Sequence, residues 1–251
     1  MAGITVLIMI GTCKLCGQTG QKLIKAHIIP RSFYGETLTC AAGPAKLVSI
    51  NVDEHPKKTL KGIYDQKIVC AGCEEKFSLW DNYAKVLLFD TPPDNEITHG
   101  SKKLAQVYTA FDYSQLKLFF LSLLWRANSS SHFYFKSVSL GPFADKLQKM
   151  VRNNDPGDPE DFAVIITRFD DRMSHAFLDP YRQRLEDVMF YWVSFAEHCC
   201  VIKVDGRPTP ESLSKFVLSP SQDLYITTRN FRNSPQWRTL VKIAKKRKTL
   251  F

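Results

Sequence analysis

The 251-residue sequence predicts a mixed α+β protein in two parts. Three observations carry that reading. Segments with helical spacing of apolar residues and strand-like segments mix without a βαβ rhythm. Two CxxC pairs bracket the first part. The stretch TPPDNEITHGSKK at 91–103 is polar and rich in turn formers, and places a boundary between residues 1–95 and residues 100–251.

In the first part, MAGITVLIMI is apolar but short, with no basic residue ahead of it and no small-residue cleavage site after it, so it does not read as an export signal. It reads equally as an edge strand or as an extension ahead of a start at Met9. KLIKAHII (22–29) reads as a strand that runs into Pro30, which cannot donate to a ladder. KLVSINV (46–52) is a second strand, and KIVC (67–70) leads into the second cysteine pair. CEEKFSLWDNYAKVLLF (73–89) is a helix: Phe77, Trp80, Ala84, Leu87 and Leu88 recur on one face.

The second part opens with YSQLKLFFLSLLWRANS (113–129), apolar nearly all round and therefore a core helix. FADKLQKMVRN (143–153) is a shorter helix, and DFAVIITRF (161–169) is a strand. LEDVMFYWVSFAEHCCVIKV (185–204) reads as two strands turning at 196–198. DLYITT (223–228) is a further strand, and SPQWRTLVKIAKKRK (234–248) closes the chain as a basic helix. Trp125, Tyr191 and Trp192 read as packing residues. The histidines at 55, 99, 132, 175 and 198 stand singly, without ligand spacing, and read as surface or satisfied groups.

No apolar run reaches the ~20 residues of a membrane span. Net charge is +9, which favours polyanionic partners, and Lys242, Lys245, Lys246, Arg247 and Lys248 concentrate it near the C-terminus. A solvated basic tail is the plainer reading of that cluster. Seven cysteines, an odd number without an export signal, disfavour a disulfide framework and point to the cytoplasm. Cys40, Cys199 and Cys200 read as buried or incidental thiols. No glycine-rich nucleotide loop or nucleophile elbow is present.

The remaining four cysteines, Cys13, Cys16, Cys70 and Cys73, form two CxxC turns. Zinc takes four thiolates in a tetrahedron, and each CxxC turn offers two from one side. A redox role for the second pair would need a βαβ setting, which is missing, and would leave the first pair without a purpose. The expectation is one structural zinc ion.

Between the pairs lies KAHIIPRSFYG. With His27-Ile28-Ile29-Pro30 inside a four-cysteine frame, and Val69-Cys70-Ala71-Gly72-Cys73-Glu74 at the start of a helix, residues 11 to 90 resemble the HNH endonuclease family with its ββα-metal fold. That resemblance implies divalent-metal-dependent phosphodiester hydrolysis, of DNA in the first place. His27 would be the general base, with an imidazole suited to taking a proton from water. Mg²⁺ or Mn²⁺ would be the catalytic ion, with Glu74 as a hard oxygen ligand. Asp65 stands near the place of the family's middle asparagine, as ligand or histidine orienter. Two departures count against activity. Ala26 stands where the family commonly has a ligating Asp or His, although some relatives carry Ala-His-Ile, and the middle asparagine is absent. The alternative is a zinc-braced binding module for nucleic acid or protein that does not cut. Plainer readings stand beside each residue: a buried, bonded strand histidine for His27, a helix-dipole carboxylate for Glu74, a turn residue for Asp65, and a solvated carboxylate for Asp81. The same resemblance implies a place among mobile-element or phage-defence proteins; a protein partner or trigger for activity is a separate expectation, and residues 100–251 carry no chemistry that can be named.

Overall fold

The computed structural model describes residues 9–38, 45–48, 57–59, 62–170 and 176–246. The chain begins with β1 (Met9–Gly11), which pairs antiparallel with β2 (Gln21–Leu23). β3 (Ala26–His27) follows, and the predicted single strand over 22–29 is thus broken in two. The break has a reason: β2 pairs with β1, whereas β3 pairs with a strand further along, so the chain changes partners at 24–25. β4 (Ala45–Val48) and β5 (Lys57–Thr59) lie in a small three-stranded sheet. The rest of the predicted strand over 46–52 lies outside the described residues, as do Cys40, His55 and His175.

β6 (Tyr64–Asp65) is the antiparallel partner of β3, with Ala26 opposite Asp65 and His27 opposite Tyr64. KIVC (67–70) makes a single bridge, between Leu23 and Cys70, on its way into the second cysteine pair. Its carbonyls are used individually: Lys14 N–H donates to Ile68 O at 2.8 Å, and Ile24 N–H donates to Val69 O at 3.1 Å. α1 (Ala71–Lys85) starts two residues earlier than expected, with Cys70 as its extended N-cap, and passes into a wider turn at Val86–Asp90.

The stretch in which the boundary was placed contains a strand. β7 (Asn95–His99) and β8 (Lys102–Tyr108) form an antiparallel hairpin at the edge of the main sheet. All five β7 side chains are exposed, so no apolar alternation announces the strand. α2 (Tyr113–Ser129) has the predicted ends, and the Asp112 side chain caps it by accepting from Gln115 N–H at 2.9 Å. α3 (Ala144–Asn153) follows. β9 (Val164–Phe169) starts after Phe162, whose left-handed backbone (φ 49°) interrupts the extended run.

β10 (Ala176–Leu178) joins the small sheet beside β4. β11 (Tyr181–Leu185), β12 (Val188–Phe195) and β13 (His198–Lys203) are antiparallel, with the last two joined by the expected turn around Ala196. A short helix, α4 (Glu211–Ser214), precedes β14 (Leu224–Arg229), and α5 (Pro235–Lys246) is the last described element. The main sheet has the order β11-β12-β13-β9-β14-β8-β7 and is antiparallel except for the β9–β14 pair. The chain is α+β, as predicted.

Period-two alternation gives this sheet two apolar faces. Val164, Ile166, Val193, Phe195, Cys200 and Ile202 share one cluster with α1 and α2. Ile165, Phe190, Trp192, Cys199 and Val201 share the other with Leu240 of α5. The basic helix therefore lies on the opposite face of the sheet from α1 and α2. The first cluster runs unbroken from the cysteine frame into the second part of the chain. Phe33, just after His-Ile-Ile-Pro, stacks on Phe119 of α2 at 5.0 Å and meets Phe89 and Phe195 edge-on at 5.2 and 5.3 Å.

His198 is a correction to the reading of the single histidines as surface or satisfied. It is fully buried between Phe89 and Phe195, and neither ring nitrogen has a hydrogen-bond partner among the described residues. Burial, helped by the neighbouring Arg168 charge, pushes its pKa down to about 3. The unfolded chain takes up this proton near the ordinary histidine value, about 6.5, and the folded chain does not. Stability is therefore expected to fall as pH drops below about 6.5, and to level off only near 3. Urea midpoints for wild type and His198→Phe at a pH of about 7.5 and of about 5, either side of the ordinary histidine value, check this. The variant should lose less stability on acidification, and equal losses would refute the assignment.

Candidate functional site

The site begins with the knuckle Cys13-Lys14-Leu15-Cys16. Gly17 follows it in the left-handed region (φ 79°), and its N–H donates to Cys13 O at 2.9 Å, which closes the turn. Cys70 and Cys73 come from the N-cap and first turn of α1. The four sulfurs lie within 4.8 Å of one another, with Cys13 to Cys73 at 3.6 Å and Cys16 to Cys70 at 4.0 Å. A tetrahedral zinc thiolate site, at about 2.3 Å per bond, needs sulfurs roughly 3.8 Å apart. The four cysteines are thus arranged to hold a metal ion such as zinc, and Cys13, Cys70 and Cys73 are buried.

Electrostatics point the same way. Burial opposes the Cys13 thiolate, yet hydrogen bonds from the backbone of Cys16 and Cys70 outweigh it and bring its pKa down to about 7. Burial and the neighbouring Cys13 push Cys73 up, and burial raises Cys16. Four thiolates cannot crowd together in the protein alone, and a cation resolves the conflict.

Beside this frame stands a ββα unit made of β3, β6 and α1. Asp65 of β6 is buried, and its carboxylate is occupied. Oδ1 accepts from Lys67 N–H at 2.8 Å. Oδ2 accepts from Ser130 Oγ at 3.0 Å, Ser131 N–H at 2.9 Å and Ser131 Oγ at 3.1 Å. Burial works against its charge, but these donors hold its pKa below the usual value. Asp65 thus ties the β6 turn to the end of α2.

Asp81 is not the solvated carboxylate expected from its helix face. Its side chain is 13% exposed and forms a two-pronged pair with Arg126 of α2, at 2.7 and 2.9 Å. Arg126 is fully buried and also donates to His27 O at 2.8 Å, to Ser122 Oγ at 3.1 Å and to Ser122 O at 3.3 Å. Sequence reasoning passed over Arg126. The signal was a cation in an otherwise apolar helix, because a buried charge needs a partner.

Glu74 follows Cys73 in the first turn of α1. The backbone N–H of His27 favours its charged form, while its buried Oε2 has no partner among the described residues. Burial raises its pKa to about 7, against the opposing charge of Arg126 and with a further push from Asp81. The structure thus brings Glu74, Asp81 and Arg126 together around the backbone of His27. The His27 ring is half-buried and lies 6.0 Å from Tyr64. The Lys25 ammonium also meets that tyrosine, 3.8 Å from its ring centre. Ala26 is fully buried.

No family model, curated protein or solved structure matches the chain.

Lys242, Lys245 and Lys246 are exposed on α5, across the sheet from this site, and Arg247 and Lys248 lie outside the described residues. No helix among the described residues is long and apolar enough to cross a membrane.

Metal analysis of the full-length protein is expected to find one zinc ion per chain. Cys73→Ser should abolish it and unfold the region around the frame, because metal binding and folding are coupled. Stoichiometry near zero, or a Cys13–Cys16 disulfide in protein kept under reductant, would falsify the assignment.

Proposed function

We propose that this protein is a zinc-braced, divalent-metal-dependent nuclease of the HNH type, with DNA as its first candidate substrate. The observation that carries the reading is the ββα unit beside the four-thiol frame, with Glu74 and Asp81 of α1 gathered around Arg126, which bonds the His27 carbonyl. Of the acidic residues Asp65, Glu74 and Asp81, only Glu74 has a buried oxygen to spare, since the other two are bound by serines and by Arg126. That orphan oxygen suits Mg²⁺ or Mn²⁺, which bind through one or two carboxylates and the substrate's own phosphate. Such an ion, when bound, would neutralise charge on the phosphate and the leaving oxygen.

The chain's own residues have separable roles. His27 would take a proton from the attacking water. Glu74 would hold the ion. Lys25, exposed beside the Tyr64 ring, would meet a phosphate on the approach to His27. The thiols would keep the helix start in register with β3.

A second reading has its own support. Ala26 is fully buried at the position where a further ligand would help, and the neighbouring carboxylates are engaged. On that reading the unit binds nucleic acid or a protein without cutting it.

Incubating plasmid and linear DNA with the full chain, with Mg²⁺, Mn²⁺ or chelator, separates the two. Cleavage that needs the ion is expected, with His27→Ala slower by about 10²–10⁴-fold at unchanged zinc content. Equal rates for the variant would remove His27 from the mechanism, and binding without cleavage of DNA or RNA would favour the second reading.

Binding itself should weaken with salt. Replacing Lys242, Lys245 and Lys246 together should flatten the slope of log affinity against log salt if α5 contacts phosphate. An unchanged slope would leave α5 as a solvated helix and move the polyanion contact to the Lys25 side.

A further inference from the structure

We propose that Arg126 is the positioning residue of the candidate site, so that the second part of the chain completes the site from α2. This rests on the nuclease reading. The β3–β6 ladder is only two residue pairs long. Such a ladder cannot by itself hold a catalytic ring in place. His27 is secured from outside it. On one side its backbone N–H favours the charged form of the Glu74 carboxylate of α1. On the other its carbonyl accepts from Arg126 of α2, 2.8 Å away and 99 positions along the chain. The next residue is held as well, since Ile28 N–H donates to Ile63 O at 2.9 Å.

Arg126 has little freedom to be elsewhere. Its guanidinium is planar and forked, and each prong is committed: one to Asp81 and His27 O, the other to Asp81 and Ser122. Lysine has the charge but lacks the fork. It can pair with Asp81 or reach the His27 carbonyl, but it cannot reproduce both sets of bonds.

The same end of α2 grips the rest of the first part. Lys14 of the knuckle donates to Ser129 O at 2.6 Å. Ser130 and Ser131 donate to Asp65 of β6. Between Arg126 and Ser131, α2 and the turn after it hold the knuckle, both strands of the ladder and α1. A shift of α2 would therefore reach His27 directly, and α2 is packed along its length in the core of the second part.

The test uses full-length Arg126→Lys, with Asp81→Asn as a second variant that keeps the side-chain shape. Four quantities are read on each: zinc content, urea midpoint, DNA affinity and the single-turnover cleavage rate per folded molecule. The His27 ring resonances in a ¹H–¹³C spectrum give a fifth reading that needs no activity. Zinc content and DNA affinity are expected to stay near wild type. The single-turnover rate should fall about 10- to 100-fold, the usual effect of losing a group that orients an active side chain. The His27 resonances should shift or broaden. A folded, zinc-loaded variant with wild-type turnover and unmoved His27 resonances would overturn the proposal. So would a loss confined to the urea midpoint, which marks a purely structural pair. If wild type cuts no nucleic acid, the nuclease reading fails separately, and the His27 resonances still decide whether Arg126 positions that ring.

Discussion

The constraint on which the first part depends is the closure of four thiols around one point. The strands ahead of α1 are two to four residues long, too short for their ladders to persist in water. What makes them a unit is that Cys13 and Cys16 sit at one end, Cys70 and Cys73 at the start of α1, and all four sulfurs converge. A metal ion held by these thiols would join residues 60 positions apart, from Cys13 to Cys73, and close the chain between them into one loop. Beside the thiols, the carbonyls of Ile68 and Val69 accept from Lys14 and Ile24 N–H, so backbone bonds brace the same junction.

A second constraint is the burial of Arg126. A fully desolvated guanidinium is tolerated only when its charge and its donors are satisfied, and removing one partner of such a pair costs about 3–5 kcal/mol. Asp81, the His27 carbonyl and Ser122 provide that satisfaction, and each belongs to a place whose position matters. The ion pair therefore converts a packing contact between α1 and α2 into a fixed geometry, whereas apolar contacts alone would let the helices slide. The Phe33, Phe89, Phe119 and Phe195 rings add bulk to the same junction without setting its register.

How much of this was legible follows from the range of each interaction. The thiol site was readable because ligand chemistry demands a spacing that a CxxC turn displays in the sequence itself. The core helix at 113–129 was readable to the residue, because its apolar content is continuous and Asp112 caps it. The hairpin at 95–108 was not, because β7 is solvent-exposed along its length and has no buried face to alternate. Asp65 looked like a candidate ligand because its true partners, Ser130 and Ser131, lie 65 and 66 positions away. His198 was missed for a related reason: a histidine inside an aromatic box has no local signature. Arg126 is the instructive case. Its sequence context said that a charge was being buried, but only the fold could say against what.

The two faces of the main sheet give the last step. Odd and even strand positions commit to different clusters, one under α1 and α2 and the other under α5. The lysines that dominated the charge reading thus stand across the sheet from His27, whereas Lys25, two positions before that histidine, is an exposed cation on the candidate site's own side. Net charge is a property of the whole chain, but a phosphate is met by particular side chains on one surface. If one duplex touched both Lys25 and α5, it would have to pass around the sheet edge rather than lie flat against one face. The simpler arrangement separates the two surfaces, with the proposed chemistry at His27 and Glu74 on one side and the exposed lysines of α5 on the other. The closed core joins them through the sheet and α2.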